Sequence, residues 1–76
     1  MKIYGRQDDD ASAPLLLTEV SFVASSDELR SIADFLLAQA DAMSGSKSFD
    51  HRHYLDFIGV DIDQEDIIVV NPDSLR

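Results

Sequence analysis

The stretch SSDELRSIADFLLAQADAMSG, residues 25–45, decides the fold. Ser25 and Glu28 stand three positions apart. That is the spacing of a capping box, in which a hydroxyl and a carboxylate reciprocally satisfy the orphan amides of a helix start. Asp27 and Glu28 also complement the positive end of the helix dipole. Leu29, Ile32, Ala33, Leu36, Ala40 and Met43 then recur at helical spacing, and Phe35 and Leu37 widen the stripe. Arg30, Asp34, Gln39 and Asp41 mark the wet side. Gly45 reads as a left-handed stop, with Ser44 to Ser48 as a flexible connection. The spacing therefore predicts one long amphipathic helix, and its stripe needs a sheet to cover.

The flanking segments supply strand patterns. Lys2–Tyr4 reads as a short strand. Gly5–Pro14, with its three aspartates Asp8, Asp9 and Asp10, reads as an exposed loop. Leu15–Ala24 reads as a second strand, with Leu16, Thr18, Val20, Phe22 and Ala24 on one face. Phe22 and Phe35 are assigned to the core. Phe49–Ile58 reads as a third strand, with His51, His53, Leu55 and Phe57 on one face and Arg52, Tyr54, Asp56 and Ile58 on the other. Gly59–Glu65 is an acidic turn. Asp66–Asn71 holds a β-branched run suited to a strand buried on both faces or central in a sheet. Asn71-Pro72 ends that strand, because proline cannot donate to a ladder. Residues 72–76 read as a frayed tail. The expected architecture is α+β, in the order ββαββ, with one amphipathic helix packed on a four-stranded, mainly antiparallel sheet. It forms a single domain over 1–76 with an ordered core of about 2–71. The sheet's other face stays open to a partner or to a second copy.

Composition narrows the functions this fold can serve. Seventy-six residues make a thin core. Fifteen Asp and Glu against six Lys and Arg give a formal charge of −9. Phosphate binding needs a basic face, so nucleic acid and anionic membrane are disfavoured as partners. A basic protein partner is favoured, since opposite fields speed encounter. Acidity for solubility alone is the plain competing explanation. The chain has no cysteine, which removes disulfides, thiolate metal sites and cysteine nucleophiles and fits a reducing compartment. The opening residues Met1–Arg6 lack the apolar stretch of a secretory signal, and no run is long enough to span a bilayer. The chain is therefore read as cytoplasmic.

The most distinctive local feature is Asp50-His51-Arg52-His53-Tyr54. On a strand, two histidines at i and i+2 project the same way, about 7 Å apart. They could share a metal, with Asp50, Asp56 or an acidic loop residue adding oxygen. The plainer reading makes them surface or interface groups paired with carboxylates, able to make partner binding sensitive to pH. That reading is adopted here: no metal and no cofactor, with His51 and His53 as the pair a metal would use. Asp61 to Asp66 resembles the start of a calcium loop. It fails at the sixth position, where Asp66 replaces glycine, and at the twelfth, where Pro72 replaces glutamate. No phosphate loop or nucleophile elbow is present, and no catalytic residue is assigned. The candidate partner-binding surface comprises His51, His53, Tyr54, Asp61, Asp63, Glu65 and Asp66.

The second half of the chain resembles immunity protein family 32 of bacterial polymorphic toxin systems. The likeness is carried by His51-Arg52-His53-Tyr54-Leu55 and, after an acidic turn, by Asp66-Ile67-Ile68-Val69-Val70-Asn71. It implies a non-enzymatic domain that binds and neutralises a toxin. The alternative is a small homo-oligomeric or regulatory domain that pairs through its open sheet face or edge.

Overall fold

The structure is a computed structural model and describes residues 1–7, 13–46, 48–60 and 65–75. In chain order it comprises β1 (Ile3–Gly5), β2 (Leu15–Leu17), α1 (Ser26–Gly45), β3 (His51–His53), α2 (Tyr54–Ile58), β4 (Ile68–Val70) and a closing 3-10 turn (Pro72–Leu75). The α+β class holds. The single four-stranded sheet is not confirmed: the described strands pair in twos. β1 and β2 are antiparallel with Ile3 opposite Leu17, and β3 and β4 are antiparallel with His51 opposite Val70 and His53 opposite Ile68.

α1 begins as its sequence dictates. The Ser25 hydroxyl accepts from the Glu28 amide at 3.1 Å, and the Glu28 carboxylate accepts from the Ser25 amide at 3.0 Å. The Ser25 amide first, and then the Ser25 hydroxyl, hold the Glu28 carboxyl below its ordinary pKa. The helix ends differently from expectation. Gly45 is not left-handed; the chain leaves through Ser46 in an extended conformation. Among the described residues the left-handed glycine is Gly59, with φ 74°, which closes α2. There the Gly59 amide donates to the Asp56 carbonyl and the Val60 amide to the Leu55 carbonyl, a Schellman pattern.

Three further expectations are corrected. The second strand stops at Leu17, because its ladder partner β1 is only three residues long, and Val20 to Ala24 follow no ladder. Phe22 is accordingly half-exposed rather than core. The third strand stops at His53, and Tyr54–Ile58 is a helical turn. Residues 72–75 turn in a 3-10 helix. Proline suits the first position of a helical turn, and Asn71 caps it: its Oδ1 accepts from the Asp73 amide at 3.1 Å.

The core is small. Phe35 is fully buried and Phe49 nearly so, and they are the only buried apolar side chains among the described residues. Phe35 meets Tyr54 and Phe57 edge to face, at 5.5 and 5.4 Å between ring centroids, which joins α1 to α2. The Arg52 guanidinium lies 4.9 Å above the Phe49 ring. Among the described residues fourteen large hydrophobic ones stay exposed, Tyr4, Leu15, Leu16, Leu36, Leu37, Ile68 and Val70 among them. β4 is therefore not buried on both faces as its β-branched run suggested. The accessible surface is 6521 Å², against about 4,600 Å² for a folded monomer of this mass. The radius of gyration, 13.2 Å, exceeds the roughly 11.4 Å of a typical domain of this length.

Candidate functional site

β3 places His51 and His53 on one side, as alternation along a strand requires. Their rings meet edge to face with centroids 5.3 Å apart. Each imidazole is tied to a carboxylate through Nδ1: His51 to Asp50 Oδ2 at 2.7 Å, and His53 to Asp66 Oδ2 at 2.6 Å. An ionised carboxylate only accepts, so each Nδ1 carries the proton and each ring is held in one orientation.

Asp66 does more than pair with a histidine. Its Oδ1 accepts from the Leu55 amide at 3.0 Å and from its neighbour Ile67 at 2.9 Å. Leu55 lies in the first turn of α2, which has no cap from its own N-terminal residue His53. Asp66 thus caps α2 from the segment that leads into β4. Partial burial pushes the Asp66 carboxyl up, but the His53 bond and the two backbone amides together outweigh it, so it lies below its ordinary pKa. Asp50 is also lowered, by His51 first and then by the Ser74 hydroxyl. That hydroxyl makes its explicit bond to the Asn71 carbonyl, at 2.7 Å. It faces a carboxylate rather than an imidazole, so the Ser74–Asp50–His51 order is not that of a nucleophilic triad.

The structure brings together His51, His53 and Asp66, with Glu65 exposed next in sequence to Asp66. It separates Tyr54 from them. The Tyr54 hydroxyl donates to Ser31 Oγ on α1 at 2.8 Å, and its ring packs on Phe35. Tyr54 belongs to the α1–α2 seam, because the chain turns helical where a strand was expected. Asp61 and Asp63 lie outside the described residues. Among the described residues no group of three or more His, Asp or Glu is arranged to hold a metal. Asp50 already serves His51, and Asp56 is exposed on α2.

Two features escaped the sequence reading. Asn71 is buried, and it joins the end of β4 to the residues before β3. Its side chain donates to the Phe49 carbonyl at 3.0 Å and its amide to the Asp50 carbonyl at 2.8 Å. The Asn-Pro pair, an N-cap residue before a first-turn proline, was the available signal. The second feature is Gln39, assigned to the wet side but buried. The buried line of α1 runs through Phe35 and Gln39, and Leu29 and Leu36 of the expected core stripe remain exposed.

No family model, no curated protein and no solved structure matches the chain. No helix among the described residues is long and apolar enough to cross a membrane.

Proposed function

We propose that this chain is a non-catalytic protein-binding domain that takes a basic polypeptide partner. The observation that carries this reading is the surface left uncovered. Two apolar side chains are buried among the described residues and fourteen large ones are exposed. Exposed apolar side chains gathered on one element, as Tyr4, Leu15 and Leu16 are on the β1–β2 ribbon, suit an interaction surface. The charge of −9 selects the partner's sign. The residues assigned to it are the exposed apolar ones of the β1–β2 ribbon and the segment after it, Tyr4, Leu16, Val20, Phe22 and Val23, and the acidic Asp50, Glu65 and Asp66. Two-stranded ribbons are marginal alone and present open edges, which a partner strand can extend.

Toxin neutralisation is the specific form of this reading. It is supported by the acidity, which suits a basic substrate cleft, and by the resemblance of residues 51–55 and 66–71. A cytoplasmic setting agrees with the absence of cysteine.

The test is capture on the tagged full chain from its own cells at low salt, followed by a salt wash and mass spectrometry. One stoichiometric basic protein, released by salt, is the expected result. Its toxicity on expression, relieved by co-expression of this chain, would establish neutralisation. Recovery of no basic partner from cells shown to express the bait would reject the reading.

A further inference from the structure

α1 has two apolar faces, and the chain covers only one. Phe35 and Gln39 are buried and Ser31, Ile32, Ala38 and Met43 half-buried, all turned toward the protein. Leu29, Ala33, Leu36 and Ala40 lie on another side, within about 60° of arc at 100° per residue, and all four are exposed. Leu37 flanks them and is 66% exposed. Their spacing, four then three then four, is that of a helix–helix seam. Large and small residues alternate along it.

We infer that this face pairs with a second copy of the chain. Two α1 helices run antiparallel about a two-fold axis, with Leu29 opposite Ala40 of the partner subunit and Leu36 opposite Ala33 of the partner subunit. Each leucine then fills the space its opposing alanine leaves.

Two observations favour a second copy over a foreign helix. The pattern is complementary to its own reverse: Leu-Ala-Leu-Ala read backwards is Ala-Leu-Ala-Leu, as an isologous interface demands. In an antiparallel pair like flanks meet, so Arg30 comes on the same flank as Asp41 of the partner subunit, about 3 Å apart along the axis. Arg30 is available for this, since its bond to Asp27 at 3.0 Å lies on the open surface. The interface is the helix, not the sheet face or edge expected from sequence.

Two chains of charge −9 repel, so this pairing tightens as salt screens them, whereas a basic partner's binding weakens. Sedimentation equilibrium of the purified full chain at low and high salt tests the inference, alongside Leu36→Asp and Ala33→Leu. The expected result is a monomer–dimer equilibrium that tightens with salt. Both substitutions should weaken it at least about tenfold, which corresponds to roughly 1.4 kcal/mol, with helix content by circular dichroism retained. Ala33→Leu is the sharper variant. It adds apolar surface, so a merely sticky face would associate more tightly, while the alternating seam is overpacked. A monomer throughout at high salt, larger aggregates, or an Ala33→Leu dimer as tight as the parent's would each overturn the proposal. The partner surface proposed above lies elsewhere. A monomeric Leu36→Asp chain that still captures a basic protein leaves that reading standing, and a salt-tightened dimer that captures none removes it alone.

Discussion

At the scale of single residues, carboxylates and amides carry more structure than their count in an acidic chain suggests. Asp66 accepts from one imidazole and two backbone amides and thereby fixes where β3 ends and α2 begins. Its folded pKa is depressed, as are those of Asp50 and Glu28. The stability they contribute is therefore present above the unfolded value of about 4 and is lost as pH falls through the lower folded values. Relief of the chain's net negative charge in acid acts in the opposite sense. Asp66→Asn isolates the local term: its melting temperature should depend less on pH below about 5 than the parent's, measured by circular dichroism melts. Asn71 makes buried bonds that water cannot replace. Asn71→Ala should cost about 1–3 kcal/mol in urea unfolding, through the stranded Phe49 carbonyl and the lost cap of the 3-10 turn.

At the scale of elements, the contrast between the two helices shows what local sequence can specify. α1 carries its own start signal in Ser25 and Glu28, and that signal is honoured to the hydrogen bond. Ser25→Ala should destabilise the chain by about 1 kcal/mol in the same unfolding experiment. α2 borrows its cap from Asp66, eleven residues after Leu55. Its five residues alternate acceptably as a strand, with Leu55 and Phe57 against Tyr54, Asp56 and Ile58. The same residues place Tyr54, Phe57 and Ile58 at helical spacing. The left-handed Gly59 that follows favours the helix. With φ 74° there, Gly59→Ala should cost about 1 kcal/mol and loosen the end of α2, visible as faster amide exchange at Val60.

At the scale of the whole molecule, one aromatic cluster holds the helices together. Phe35→Ala removes the fully buried ring that Tyr54 and Phe57 both touch. The expected cost, about 3–5 kcal/mol, matches the few kcal/mol that a domain of this size holds in reserve. The variant should show no cooperative thermal transition at room temperature and above. The β1–β2 ribbon touches the other elements only sparsely, so its order depends on what covers it. That is the physical content of the proposed partner surface.

The sequence by itself determined the α+β class, the place and start of the long helix, the antiparallel sense of the strand pairs and the shared face of His51 and His53. Each of these rests on interactions within a few residues or on strict alternation. It did not determine which side of α1 is buried, because Leu29-Ile32-Ala33-Leu36 and Ile32-Phe35-Gln39 are both regular helical lines. Only the tertiary structure chose between them, by seating Phe35 against Tyr54 and Phe57. The early ends of β2 and β3, the withdrawal of Tyr54 from the histidines and the capping role of Asp66 were decided the same way. Each depends on a partner distant in sequence, and a periodic pattern records the preference of a segment but not the surface it meets.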